Sequence, residues 1–495
     1  MPNTNLQLQN GGLRVDDEPR SWRYKTVLDN PKVGVVIVNW NKKDYVLSLL
    51  NSLQRIHYGN YEITVVDNAS TDRSVDSIRQ RFPNVNVIAN SRNLGGPGGF
   101  NAGMKYLFDK GGYKYIWLLD NDAGIEKDTL LELVNAMEGE DNVGIMGSML
   151  LEPDGDYIVE LGAFVSWPIG TWVPNLRNKR ASELGEDELV EVDYVASCSA
   201  LVRVEVLEKI GFMDERFFLH WDDIDFSLRA KKAGYKVKAT AKSKTYHGIE
   251  GKSYNPLLSY YDIRNGLLAI SKHQKGLFRF IYILNMLRGS SKGIVYSFLA
   301  GLHSINRFML KAILDFVKGD FYQTTLPSAI DNPSNGDVRD LALGDLNLSD
   351  GDKILVFPNG GFSVIKTLIE GIGPKADCSI SLLIQSDRKE LFGDLPIDDF
   401  ITFEGYKQST LQTLSVFWKI FSAKYDLCIS PTPVSLPFSY AACKYYLYDE
   451  KKDVFLKSRE VLSSCWKLPL AFLGGELLAF CLAPIVFLAS FRENK

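Results

Sequence analysis

Cysteine and histidine are sparse in this 495-residue chain, six and five in number, and no two cysteines form a C-x-x-C pair. Cys198, Cys378, Cys428, Cys443, Cys465 and Cys481 stand too far apart for a zinc knuckle or a disulfide framework, and they read as reduced thiols of a cytoplasmic protein. Basic charge is not in excess either. A formal net charge of -4 argues against nucleic acid as a partner, because phosphate contacts need Lys and Arg gathered on one face. No apolar run follows Met1, so no secretory signal is expected and the chain is placed on the cytoplasmic side. Long hydrophobic runs are missing until residues 468–491, LPLAFLGGELLAFCLAPIVFLASF, where Glu476 is the one charged residue. That run is long enough to cross or enter a bilayer. Pro469, Gly474, Gly475 and Pro484 argue against a straight span, which leaves a re-entrant or interfacial hairpin, or a buried core helix, as alternatives.

The length implies two or three domains, and 45% apolar with 23% charged residues is a globular balance. After a polar arm at 1–30, apolar strand patterns at 33–39, YEITVVD, VNVIA and YIWLLD alternate with helical patterns at 43–56, 72–81 and 98–109. Strand and helix in this order predict an α/β fold with a doubly wound, mostly parallel sheet. Glu126 is expected to open a further helix and VGIMGSML to form a further strand. Residues 153–192 read as loops and 256–326 as a helical, membrane-interfacial segment. Beyond the linker PSAIDNPSNG a second, smaller α/β unit is expected at 337–465, followed by a membrane-associated segment at 466–495. The first large domain is bounded at 31–255.

Two acidic clusters carry the chemistry. Asp120-Asn121-Asp122 ends the apolar run YIWLLD, at the strand edge where open α/β sheets bind ligands. In extended chain Asp120 and Asp122 share a face, and hard carboxylate oxygens suit Mg²⁺ or Mn²⁺ bridging two phosphates. His220-Trp221-Asp222-Asp223 stands at the rim of the site, just before a helical pattern, and adjacent carboxylates in dry surroundings raise one another's pKa, so that Asp222 or Asp223 becomes a usable base. His247, at the end of the strand-like stretch TYHG, is a candidate third metal ligand. Asp67, ending YEITVVD, can accept from a pyrimidine N3–H or a ribose hydroxyl, or can merely cap the next helix. The loop NSRNLGGPGGFNAG brings backbone close to an anion, without the G-x-G-x-x-G spacing of a dehydrogenase. Apart from Arg92 it also lacks the basic residues that a nucleotidyltransferase would need for a triphosphate. Trp167 and Trp172, amid prolines, suit stacking against an acceptor sugar, or ordinary packing.

Taken together, VVIVNWN, VVDNASTD, NLGGPGGFNAG, LLDNDAG and WDDIDFSLRAKKAGY resemble the inverting family 2 glycosyltransferases of the GT-A fold. With YYDIRNGLLA at 260–269 the likeness is nearest to bacterial galactofuranosyltransferases, rhamnosyltransferases coming next. The resemblance implies that Asn39, Asp67, Asn93, Gly95, Gly96 and Asn121 hold the donor nucleotide. It implies a divalent metal, Mn²⁺ or Mg²⁺, on Asp120, Asp122 and His247, with Asp223 as base beside Asp222 and with Trp167, Trp172, Trp221 and His220 toward the acceptor. The donor it favours is UDP-galactofuranose, with dTDP-rhamnose as the alternative. The acceptor expected is a growing, lipid-linked cell-surface glycan at the cytoplasmic face of the inner membrane, and an oligomer or an assembly complex is left open. A catalytically dead scaffold docked on the membrane is the rival from another class, and the intact DND and WDDID clusters speak against it.

Overall fold

The computed structural model describes residues 30–153, 156–247 apart from 169, 178 and 186–187, and 256–322 apart from 300–302. Further along it describes 340–342, 348–357, 362–372, most of 378–403, parts of 415–430, 442–449, 454–458 and 467–491. The polar arm up to residue 29 and the linker at 327–336 lie outside these residues.

Four strands, β1 (Val33–Asn39), β2 (Tyr61–Asp67), β3 (Asn86–Ala89) and β4 (Tyr115–Asp120), alternate with α1 (Lys43–Leu53), α2 (Ser74–Arg81) and α3 (Gly95–Lys110). All four pair in parallel, with β1 between β2 and β4. The register sets Asn39 opposite Asp67 and Val38 opposite Asp120. Three sequence-predicted site residues therefore leave one sheet edge together, because parallel strands share their carboxyl ends. Val33, Val35, Val36 and Ile37 are fully buried, as expected of a strand covered on both faces. Gly103 of α3 lets that helix lie on the sheet: a Cβ there would come 2.3 Å from Val36 Cγ1.

Past β4 the chain departs from the simple alternation. A two-residue strand β5 (Gly124–Ile125) precedes α4 (Thr129–Glu138), so the helix expected to open at Glu126 starts three residues later, where Thr129 Oγ1 accepts from the Glu126 amide at 2.8 Å. After β6 (Val143–Leu151), the stretch taken for loops contains β7 (Ile158–Glu160), β8 (Ala163–Ser166), β9 (Thr171–Pro174) and β10 (Leu189–Glu191). Then come β11 (Ser199–Arg203), α5 (Val204–Ile210), α6 (Asp222–Lys232) and β12 (Lys236–Tyr246). The main path of the sheet runs β10-β12-β6-β11-β4-β1-β2-β3. β11 lies antiparallel between β4 and β6, which makes the sheet mixed rather than uniformly parallel. The short apolar core of SALVR marks a buried strand but not its direction.

α7 (Pro256–His273), α8 (Gly276–Leu299) and α9 (His303–Lys318) fill the stretch expected to be helical. The second unit holds β13 (Asp340–Ala342), β14 (Lys353–Val356), α10 (Phe362–Ile372), β15 (Ser379–Gln385), β16 (Asp399–Phe403), β17 (Tyr425–Ser430), β18 (Ala442–Asp449) and β19 (Val454–Ser458). Its order is β13-β19-β18-β17-β14-β15-β16, and β18, β17, β14, β15 and β16 are mutually parallel. This is the smaller α/β unit that the sequence predicts.

The last element corrects an expectation. α11 (Lys467–Ala489) is one helix that runs through Gly474, Gly475 and Pro484 without forming a hairpin. It packs antiparallel on α8: Phe487 meets Phe280 with ring centroids 5.3 Å apart, and Glu476 pairs with Arg288 at 2.7 Å and Lys292 at 2.8 Å. Among the described residues no helix is long and apolar enough to cross a membrane. Gly475 lets the two backbones approach closely, since a Cβ there would lie 2.7 Å from Lys292 Cα. Gly475→Leu is therefore expected to cost about 1–3 kcal/mol by forcing the helices apart. Calorimetry should show a lower Tm with nucleotide affinity unchanged, and an unchanged Tm would contradict this packing.

Candidate active site

At the carboxyl edge of β1 and β2 the side chains tie to one another before any ligand is considered. Asn39 Nδ2 donates to Asp67 Oδ1 at 3.0 Å, the Ser70 amide donates to Asp67 Oδ2 at 2.8 Å, and Asn121 Nδ2 donates to Asn39 Oδ1 at 2.9 Å. Asp67 is 1% exposed. It does not cap α2: Asp72 takes the Ser74 amide at 3.0 Å, which removes the capping alternative. The arrangement makes Asp67 the brace of this corner of the sheet edge, with Asn39 and Asn121 in one chain of hydrogen bonds.

The glycine loop proves different from its first reading. Asn93 Oδ1 accepts from the Gly95 amide at 2.8 Å, Asn68 Nδ2 donates to the Gly95 carbonyl at 2.9 Å, and the Gly96 amide donates to the Phe218 carbonyl at 2.9 Å. Gly95 has φ +73°, and a Cβ there would sit 2.1 Å from the Phe218 carbonyl oxygen. A Cβ on Gly99 would come 2.6 Å from Val38 Cγ1, and one on Gly96 would lie 3.5 Å from Asp222 Oδ2. These glycines first let α3 press against β1 and the 218–222 segment, protein against protein. Their proximity to Asp222 is what connects them to the site.

Asp120 closes β4 and Asp122 follows in the turn, while His247 comes one residue after β12 and donates its amide to the Leu151 carbonyl at 3.0 Å. His247 Nε2 lies 3.6 Å from Asp120 Oδ2 and 3.5 Å from Asp122 Oδ1, and one ligand atom from each of the three falls within 4.8 Å of the others. Two carboxylates and an imidazole so spaced can hold one divalent ion. The sequence reading had put these three together, and the fold does bring them together.

Asp222 and Asp223 are the first two residues of α6, not a segment ahead of it. Burial raises the pKa of both; Asp223's charge adds to the effect on Asp222, and Glu160's charge adds to that on Asp223. Glu160 itself is pushed up to about 7 by burial. Asp223 keeps part of its surface open and accepts from the Ile224 amide at 2.8 Å. Asp225, fully buried, is held well below the usual carboxylate range: burial pushes up, but His273 at 2.8 Å, Lys272 at 2.7 Å and Arg229 at 2.8 Å outweigh it. That third acid of the cluster anchors α6 through its ion pairs, unlike Asp222 and Asp223.

The aromatic residues divide. Trp172 is part-exposed and meets Trp221 edge-on at 5.6 Å and His220 at 6.3 Å, so it stands next to the acidic pair. Trp221 is 1% exposed and belongs to the hydrophobic core, which corrects its assignment to the acceptor: a buried indole cannot stack on a sugar. Trp167 stacks on His273 at 6.1 Å, beside the Asp225 anchor rather than beside His220 and Trp221. Burial pulls the His220 imidazole pKa down, yet Asp262 Oδ1 at 2.8 Å raises it further, for a net increase.

Three residues escaped the sequence reading. Glu160 lay in a presumed loop. Arg264 and Asn265, fully buried in α7, grip the backbone ahead of the acidic pair. Phe218, His220 and Trp221 have φ of 59°, 63° and 70°, a left-handed run without glycine that costs about 1–3 kcal/mol per residue. Asn265 Nδ2 donates to the carbonyls of Phe217 at 2.7 Å, Leu219 at 2.7 Å and His220 at 2.9 Å. Arg264 Nη2 donates to those of Arg216 at 3.0 Å and Phe217 at 3.1 Å, and Tyr261 stacks on Phe218 at 5.5 Å. The available signal was an Arg-Asn pair on the helix face that also carries Tyr260, Tyr261 and Leu268, all buried.

With this geometry in place, the comparisons with known proteins take on meaning. Residues 34–211 match the family model "Glycosyl transferase family 2". The match covers Asp67, the glycine loop, Asp120 and Asp122 but stops before Asp222, Asp223 and His247, whose placement rests on the fold. The chain is similar to the low-salt glycan biosynthesis hexosyltransferase Agl10 of Haloferax volcanii, 25% identical over 50% of this chain and 76% of the relative. It is similar also to the dTDP-rhamnosyl transferase RfbF of Shigella flexneri, 28% identical over 49% of this chain and 81% of that one. A third relative, the galactofuranosyltransferase GlfT2 of Mycobacterium tuberculosis, is 24% identical over 47% of this chain and 38% of its own length. Site and match define the class: residues 34–211 are similar to glycosyltransferase family 2 domains, and the chain is a glycosyltransferase in which Asp120, Asp122 and His247 can hold a divalent metal.

Asn265→Ala leaves three carbonyls without their donor and should lower the Tm while the chain still folds; kcat should fall by about 10- to 100-fold, more than nucleotide affinity falls, because a small misplacement of Asp223 is amplified in the rate. Steady-state kinetics with parallel nucleotide titration would show it, and equal loss of both would mean a purely structural role.

Proposed function

We propose that the protein transfers a sugar, with inversion, from a nucleoside diphosphate donor to a hydroxyl of a glycan acceptor. One observation carries this: Asp222 and Asp223, both with raised pKa, share the site edge with the glycine loop and the triad Asp120, Asp122 and His247. Asp223 takes the proton of the acceptor hydroxyl; that oxygen bonds to the anomeric carbon as the bond to the diphosphate breaks, and the nucleoside diphosphate leaves from the opposite side. A divalent ion on the triad would neutralise the departing diphosphate. Burial and the Asp223 charge raise the Asp222 pKa, so Asp222 would hold an acceptor hydroxyl while part-exposed Trp172 would supply a stacking wall. General-base help of this kind is worth roughly 10²- to 10⁴-fold.

UDP-galactofuranose is the donor favoured, on the likeness of the WDDID cluster and of YYDIRNGLLA, and the relative named galactofuranosyltransferase agrees with it. The second reading, dTDP-rhamnose, is supported by the relative named dTDP-rhamnosyl transferase. The acceptor proposed is a lipid-linked cell-surface glycan at the cytoplasmic face of the membrane.

A donor panel with Mn²⁺ and short galactoside or rhamnoside acceptors separates these readings. Transfer from UDP-galactofuranose alone is expected, transfer from dTDP-rhamnose alone would move the chain to the rhamnose class, and nucleotide release from neither would support the inert scaffold. Asp223→Asn should abolish transfer while nucleotide binding survives; loss of both would make the residue structural. A base must be charged to work, and a raised pKa keeps it neutral in acid, so kcat should rise with pH from about 5.5 through neutrality and then level off. A flat profile would exclude Asp223 as the base.

A further inference from the structure

Ten of the sixteen exposed large hydrophobic side chains among the described residues lie on three helices, and an eleventh, Phe491, directly follows one of them. Leu473, Leu477, Phe480, Ile485 and Leu488 of α11, with Phe491 just beyond it, form an outward stripe at helical spacing that carries no charge. On the opposite face the buried residues are small, Ala479, Ala483, Val486 and Ala489, while Leu478, Leu482 and Phe487 pack against the same core only partly buried. A helix adapted to water would show the reverse, its bulky residues inside and its small or polar ones out. Leu277, Phe278 and Ile281 extend the stripe from α8, since Arg279 lies 5.2 Å from the Phe491 ring and Phe280 packs on Phe487.

We propose that this surface docks on an anionic phospholipid bilayer, with α11 lying in the membrane plane rather than crossing it. Charge complementarity selects that occupant. Residues 256–326 carry nine Lys and Arg against three Asp; Arg264 and Arg279 are buried and Lys272, Arg288, Lys292 and Lys311 pair with carboxylates, so the exposed cations turned to solvent are Lys275, Arg307 and Lys318, against exposed Asp320. Of the three acids, Asp315 is buried and takes Tyr260 and Lys311, and Asp262 is paired with His220. On α9 the exposed face reads Arg307, Leu310, Leu314, Lys318, leucines flanked by cations, and exposed Lys275 comes just before Leu277. Lysine and arginine beside an apolar stripe are what an anionic lipid surface attracts. A second copy of the chain fits less well, because a two-fold contact would turn these cations on themselves. A crossing helix fits less well too, since Glu476, Arg288 and Lys292 hold α11 to α8 and would enter the hydrocarbon with it.

α7 leads into α8 and also carries Arg264 and Asn265, so docking would hold the active site at a fixed height above the lipid. This inference is independent of the donor sugar, and its failure would leave the transfer reaction untouched.

The test is flotation of the full chain with phosphatidylcholine vesicles, with and without phosphatidylglycerol. The wild type should float with the anionic vesicles and less at high salt, and the double variant Leu477→Glu, Leu488→Glu should bind at least about tenfold more weakly. Metal-dependent nucleotide release with a soluble acceptor, unchanged in the variant, shows that the site is intact. The proposal is overturned if the variant floats like the wild type, or if the wild type does not bind vesicles. A wild-type dimer in sedimentation equilibrium that the same variant dissociates would assign the surface to a second copy instead.

Discussion

The structure turns on a short stretch of unfavourable backbone. Residues 217–221 run through three left-handed φ values with no glycine among them, and they do so because Arg264 and Asn265 of α7 hold their carbonyls. The bend delivers Asp222 and Asp223 as the first turn of α6 and offers the Phe218 carbonyl to Gly96. Gly95 has no side chain because that carbonyl occupies the place of one. Glycine loop, acidic pair and α7 thus meet at this one bend, and the buried hydrogen bonds from Arg264 and Asn265 offset the local strain.

The electrostatics follow from this placement. Four acids crowd near α6, yet they behave in two ways: Asp225, ringed by Arg229, Lys272 and His273, stays charged, while Asp222, Asp223 and the buried Glu160 are pushed toward neutrality. A base that is neither permanently charged nor permanently protonated suits abstraction of a hydroxyl proton near neutral pH. Across the site Asp120, Asp122 and His247 gather at the ends of two strands, where a divalent cation would offset the repulsion between the two carboxylates.

Much of this was legible in the chain. The alternation from β1 to α3 gave strand ends, and strand ends gave Asp67 and Asp120, because apolar runs mark parallel strands and their edges bind ligands. His247 was found from its position at the close of a strand. What stayed hidden was whatever depends on direction or on distant contact: the antiparallel β11, the short strands between residues 158 and 191, and Glu160 on one of them. The glycine loop was read toward a ligand although much of its spacing serves packing on Val38 and Phe218, a partner more than a hundred residues away. Trp221 was misplaced for the same reason, since composition cannot tell a buried indole from a stacking wall. In α11, glycines and a proline suggested a break, but Gly475 serves close approach to α8 and the helix continues.

The central claim is that one metal site and one base face each other across the carboxyl edge of the sheet. Crystals grown with UDP and Mn²⁺, with anomalous scattering recorded at the manganese edge, test it most directly. A single peak bound by Asp120, Asp122 and His247, with Asp223 outside the coordination sphere, is the predicted result. A peak ligated by Asp222 or Asp223 would contradict it, because a carboxylate bound to the metal could not serve as the base.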